Sequence, residues 1–135
     1  MILLLTMIGC DWVLGSFEAP EKKRAELPLM IAEIKKAQLA NHDLLMFYVD
    51  AEPYPPQPSA TPQTWNVADS GGFKDIAWSP GADVTVYGSY AIKVSEDGSD
   101  FTITGVSDID GDGVFATYIA TKDTDPERKT GESIY

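Results

Sequence analysis

From Pro20 to Tyr48 apolar residues recur at helical spacing. Leu27, Met30, Ile31, Ile34, Ala37, Leu44, Leu45 and Tyr48 form one stripe, with Asn41 on it, and Glu21, Lys22, Lys35 and Lys36 fall between them. This predicts an amphipathic helix of about 28 residues. Pro20 suits a first helical turn, where its missing N–H does no harm. Pro28 lies inside the pattern and should kink the helix or delay its regular start. Further on the period changes to two. Tyr90, Ile92 and Val94 mark one face of a strand over Val84–Val94, and Phe101, Ile103 and Gly105 mark a face of the next. In the third, either Phe115, Thr117 and Ile119 or Val114, Ala116 and Tyr118 point inward. Strands with this alternation are buried on one face only, so the sheet needs an apolar cover. The helix stripe is the evident one, with Leu27, Ile31, Ile34 and Leu45 on the inner face of the sheet. The expected fold class is α+β: a long N-terminal helix packed on a three- to four-stranded antiparallel sheet.

The connection between these parts is rich in proline, with five prolines between positions 53 and 62. Such a stretch is extended and polyproline-like. It could serve as an SH3-type ligand, but a crossover from helix to sheet is the reading adopted. Trp65, Phe73, Ile76 and Trp78 follow as apolar anchors in an irregular segment, and Ser79-Pro80-Gly81 is a turn. Residues 123–135 read as a polar C-terminal tail in which only Ile134 and Tyr135 could dock.

A length of 135 residues fits one domain with a core that needs no disulfide staples. The net charge of −11 argues against nucleic acid as a partner, because phosphate binding requires clustered Lys and Arg. The charge is uneven. Five of the ten basic residues (Lys22, Lys23, Arg24, Lys35 and Lys36) lie in the helix, whereas positions 43–112 hold twelve acids against two lysines. Either the acids form a solvated face or the basic helix end faces a membrane or another subunit.

Candidate chemistry concentrates at 107–113. Asp108, Asp110, Asp112 and Gly113 spell D-x-D-x-D-G, and alternate carboxylates on a tight loop can converge on one hard cation such as Ca²⁺. The twelfth position, a bidentate Glu in an EF-hand, is Ile119 here, so the motif is incomplete. A backbone carbonyl and Asp97, Asp100 or Asp123 could complete the shell. The alternative is a hairpin loop whose acids bind their own backbone. His42 is the only histidine, which leaves transition-metal sites and Ser/His triads unsupported. It reads as a surface residue near a helix C-terminus. Trp65, Trp78, Tyr87, Tyr90 and Phe115 read as core. No nucleophile–base frame is evident, so a hydrolase is disfavoured.

Cys10, the single cysteine, rules out an intrachain disulfide. It ends an apolar run, Met1-Ile-Leu-Leu-Leu-Thr-Met-Ile-Gly-Cys10, far too short to span a bilayer. The run resembles the end of a bacterial lipoprotein signal, whose Cys is lipidated and becomes the mature N-terminus. It lacks a basic n-region, as if the natural start lay further upstream. Otherwise it is a degenerate export segment with an inert thiol.

Several stretches carry a family resemblance: Lys23-Arg24-Ala25-Glu26-Leu27-Pro28, Ile34-Lys35-Lys36-Ala37-Gln38-Leu39-Ala40, Gly72-Phe73, Ala77-Trp78-Ser79-Pro80, Tyr90, Asp100-Phe101-Thr102-Ile103-Thr104-Gly105 and Asp108-Ile109-Asp110-Gly111-Asp112-Gly113. In order and spacing they resemble the globular half of type IV pilins and pilin-like proteins of delta-proteobacterial type, over residues 21–122. The resemblance implies a long helix on an antiparallel sheet and a non-catalytic, exported protein that assembles with other pilin-like or secretion-system proteins. The continuous hydrophobic N-terminal helix of a pilin is replaced by the short run and Cys10. The expected organisation is therefore an export or lipoprotein-like segment and tether (1–20), a pilin-like globular domain (21–122) and the tail (123–135). Residence is expected in the periplasm or at the cell surface, with membrane contact through a lipid anchor on Cys10. The alternative is a lipid-anchored binding module, calcium-dependent through the 107–113 loop.

Overall fold

The computed structural model describes residues 20–81 and 84–135. Helices α1 (Pro20–Arg24) and α2 (Glu26–Leu45) run on as one rod, interrupted only at Ala25, which itself keeps right-handed helical angles (φ −61°, ψ −15°). Pro28 lies in the first turn of α2, where its absent N–H is one of those the turn leaves unbonded anyway. It delays the regular helix rather than kinking its middle.

Strand β1 (Ala51–Tyr54) precedes a short β2 (Gln63–Thr64), a 3₁₀ turn over Val67–Asp69 and a one-turn helix α3 (Gly72–Asp75). Then come β3 (Thr85–Val86), β4 (Ser89–Val94), β5 (Phe101–Ser107), β6 (Ala116–Thr121) and β7 (Thr124–Arg128). The main sheet has the order β1-β4-β5-β6-β7, antiparallel throughout, and β2 pairs with β3 apart from it. Helix α2 lies across β5, β6 and β7.

The inner face follows the alternation read from the sequence. Ala51, Ile92, Ile103 and Ala120 stand side by side across four strands, and all are buried. Against them pack Leu27, Ile31 and Ile34 of α2, each fully buried. Beside the helix the irregular segment contributes an aromatic cluster. Trp65 meets Tyr54, Phe73 and Trp78 edge-on, at ring-centre distances of 4.8, 5.4 and 5.3 Å. Such edge-to-face pairs add to the gain from burial alone.

The helix start is locked onto the sheet by Glu26. Its carboxylate accepts the N–H groups of Tyr87 (2.8 Å) and Gly88 (2.9 Å) and the hydroxyl of Tyr90 (2.5 Å). These donors turn the chain out of strand geometry at 87–88, which is why the expected single strand from Val84 to Val94 is split into β3 and β4. Gly88 is required there: a Cβ would stand 2.7 Å from Leu27 Cδ2 and 2.9 Å from the Tyr90 hydroxyl.

The structure corrects the sequence reading in four places. The helix is shorter than expected, ending at Leu45, and Leu45 is exposed rather than on the inner face. Polar side chains replace it. Buried Gln38 donates to the Val49 carbonyl (2.8 Å) and accepts its N–H (3.1 Å), while Asn41 donates to the Phe47 carbonyl (3.0 Å). These bonds pull the chain back toward the sheet, and Met46 caps the helix in the left-handed region (φ 66°). Second, the sheet has five strands. β1 lies where an extended connection begins, and β7 lies within the expected tail. Both carry a proline, Pro53 and Pro126, that only an edge strand tolerates. Third, the end of the chain is held. Buried Arg24 donates to the carbonyls of Glu132 and Ile134 and lies 4.5 Å from the Tyr135 ring centre. Fourth, Phe115, read as core, is exposed; β6 follows the alternative with Ala116 and Tyr118 inward, with Ala116 and Ala120 fully buried and Val114 exposed.

Two expectations follow. Leu27→Ala and Ile34→Ala should each lower unfolding stability by about 2–5 kcal/mol, whereas Leu45→Ala should cost less than about 0.5 kcal/mol, as read by urea titration. The Tyr90 hydroxyl is held well above its ordinary value of 10, first by burial and then by the charge and hydrogen bond of Glu26. A folded value above the unfolded one favours the protonated phenol in the folded chain. Its contribution is complete below pH 10 and is lost as pH rises from there toward the folded value. The urea midpoint should therefore fall above pH 10 more steeply in the wild type than in Tyr90→Phe.

Candidate functional site

The loop between β5 and β6 brings its three aspartates together. Carboxylate oxygens of Asp108, Asp110 and Asp112 lie within 4.8 Å of one another, close enough to share one cation. Ile109, between the first two in sequence, is buried. Gly111 and Gly113, at φ 69° and 82°, supply backbone turns that side-chain-bearing residues rarely adopt.

The acids are also used within the loop. Asp108 accepts the Gly113 N–H (3.1 Å), Asp110 that of Asp112 (3.3 Å) and Asp112 that of Val114 (2.8 Å). These bonds are the self-capping pattern named as the alternative to a cation site, and the two are compatible, since each carboxylate has further lone pairs. Asp110 and Asp112 are shifted in opposite directions. Loss of water around Asp110 raises its carboxyl above the ordinary 3.8, and the side chains of Asp112 and Asp108 add to that. Asp112 is lowered, first by the Val114 N–H.

Asp97, Asp100 and Asp123 are not near enough to complete this shell. They sit in the β4–β5 and β6–β7 turns, at the far end of β5, about 20 Å away at strand rise. Asp97 there accepts the Ser99 and Ser95 hydroxyls and the Ser99 N–H. Asp100 accepts the N–H groups of Phe101 and Lys122, tying two turns together. His42 stacks on Tyr48 with ring centres 4.3 Å apart. Cys10, the expected lipidation residue, lies outside the described residues.

A second acidic feature was not foreseen in the sequence. Asp50, Glu52 and Asp69 line a cavity of about 190 Å³ with Tyr54 and residues 70–72. The acids come from separate segments, joined because α3 packs on β1, so no local motif announces them. Among the described residues no helix is long and apolar enough to cross a membrane. Comparison with protein-family models, curated proteins and solved structures finds no match.

The Asp97 carboxyl is lowered from 3.8 to about 2 by its hydrogen bonds from Ser99 and Ser95. A depressed folded value means that its support of the turn is present above 3.8 and is lost as pH falls through about 2. In an NMR titration Asp97 should have its midpoint near 2, and Ser99→Ala should move it back toward 3.8. An unchanged midpoint would show that Ser99 does not hold this turn.

Proposed function

We propose that this chain is a non-catalytic, exported, pilin-like protein, a structural or accessory part of a type IV pilus or a related secretion system. The observation carrying the reading is a helix packed on an antiparallel meander, joined to the ordered series of pilin-like stretches over 21–122. Cys10 after an apolar run supports a lipid anchor in place of the hydrophobic pilin helix. Acyl chains contribute about 0.8 kcal/mol per buried CH₂, so two or more give stable membrane residence. Partners would be other pilin-like or secretion-system proteins. The mature N-terminus, measured by intact mass, tests the anchor. The expected species begins at Cys10 with added acyl mass and fractionates with membranes, and Cys10→Ser should be recovered in the soluble fraction. Equal recovery of both forms in the soluble fraction would overturn the lipid anchor.

The second reading is a binding module that uses the same scaffold with calcium, favoured by the convergence of Asp108, Asp110 and Asp112. A cation there would relieve repulsion among the acids. Without a bidentate Glu the site would be weak, with Kd on the order of 10⁻⁴–10⁻³ M. A hundredfold excess of ion over Kd would raise stability by about 2.7 kcal/mol. In thermal melts at fixed ionic strength, millimolar calcium should raise the midpoint over EDTA in the wild type and leave Asp110→Ala unmoved. No shift, or the same shift in both proteins, would make the loop a polar hairpin alone.

A further inference from the structure

Leu44, Leu45, Met46 and Phe47 are four consecutive apolar residues, and their exposures are 81, 55, 75 and 53%. Exposed apolar residues scattered singly need no explanation, whereas a contiguous group marks a contact site. This group is also held in place. The Met46 N–H bonds to the His42 carbonyl (2.8 Å), Asn41 fixes the Phe47 carbonyl, and Tyr48 is clamped between His42 and Phe101. The knob is ordered before any partner arrives, which reduces the entropy cost of docking.

Its surroundings decide what can dock. The Tyr48–Phe101 contact (4.9 Å) brings the β4–β5 turn to this end of the molecule. With it come Glu96, Asp97 and Asp100, beside Asp43 and Asp50 from the knob's own flanks. The cations at this end are fewer: Lys122 donates to the Ser99 carbonyl (3.2 Å), Lys35 donates to the Thr124 carbonyl (2.8 Å), and Lys93 stands on the outer face of the sheet opposite Thr102. A second copy docking knob to knob would bring a like set of acids against these, and an anionic bilayer would be repelled in the same way. A face with an apolar stripe flanked by Lys and Arg satisfies both the knob and its rim. We propose that the Leu44–Phe47 knob is the docking surface for a protein partner of that kind, with the layout of a cationic amphipathic helix. The inference goes beyond the assembly reading and concerns this surface alone, so it stands or falls apart from lipidation at Cys10.

The test titrates the full chain calorimetrically with a synthetic Leu/Lys amphipathic helix about five turns long. Its scrambled isomer, equal in charge, is the control. The expected result is binding that weakens as salt rises. The scrambled isomer and the double variant Leu44→Ser/Phe47→Ser should each bind roughly tenfold more weakly or worse. Leu29→Ser, exposed near the other end of the helix, should bind as the wild type does. Near-UV circular dichroism of Tyr and Trp confirms that the variants fold. Equal binding by the scrambled peptide would reduce the effect to bulk charge and overturn the proposal. So would equal binding by the double variant. A concentration-dependent mass increase lost in the double variant would assign the knob to a second copy, and knob-dependent sedimentation with vesicles would assign it to a bilayer. Either outcome overturns the proposed partner.

Discussion

The fold depends on one buried-edge contact, the Glu26 carboxylate held by the corner at 87–90. An amphipathic helix and a sheet can slide over one another at little cost, because burial is not directional. Three hydrogen bonds to one carboxylate are directional. They set the axial position of α2 on the sheet, so that Leu27, Ile31 and Ile34 fall on the buried face that β5 and β6 present. They also satisfy two backbone donors at the break between β3 and β4 that would otherwise be costly to bury. At the other end of the helix Gln38 does similar work, exchanging two hydrogen bonds with Val49 as a neighbouring strand would. The rod is thus fixed at both ends by polar groups, with apolar packing between.

This division explains what the sequence disclosed. The period of 3.6 in α2 and the period of two in β4, β5 and β6 come from burial, and burial leaves its mark in the order of residues. The inner positions Leu27, Ile31, Ile34, Tyr90, Ile92, Phe101 and Ile103 were all legible in this way. The helix end was not. Leu44 and Leu45 continue the apolar stripe, but Gln38 and Asn41 capture the backbone at 47–49 and turn it before the stripe can be used. Polar capture has no period and leaves no pattern. The edge strands were hidden for a related reason: β1 and β7 are short, charged and interrupted by proline, which blunts an edge and also erases a strand signal. Arg24 likewise reads as one more charge in a basic run, although its guanidinium is buried under the last residues of the chain.

The candidate site was legible because it is local. Asp108, Asp110 and Asp112 converge within one loop, as alternate acids on a tight turn must. What the spacing could not decide is the use of that convergence, since the same oxygens that would meet a cation also accept N–H groups of the loop. The Asp97 turn is the instructive parallel. It too is acidic and carries a glycine, Gly98, yet its carboxylate is committed to Ser95 and Ser99. The acidic cavity between β1 and α3 is the opposite case, built from residues almost twenty positions apart and visible only once the chain is folded.

Where such a domain can meet others is narrowed by the same features. Pro53 and Pro126 remove N–H groups from both sheet edges, so growth by strand addition is impeded on either side. The inner sheet face is covered by α2 and the aromatic segment. The outer face alternates Thr102, Thr104, Thr117 and Thr121 with half-buried Val106 and Ile119, and Lys93 and Glu127 stand beside them. The two ends of the rod are unlike. One joins the basic first turn, with Lys22 and Lys23, to the aspartate loop after β5. The other joins the apolar knob at 44–47 to the acidic turn after β4. Unlike ends favour unlike neighbours, because a partner that fits one finds neither the charge nor the apolar surface it needs at the other. The polarity is set by the sequence itself, which gathers its cations at the start of the helix and leaves its unused leucines at the end.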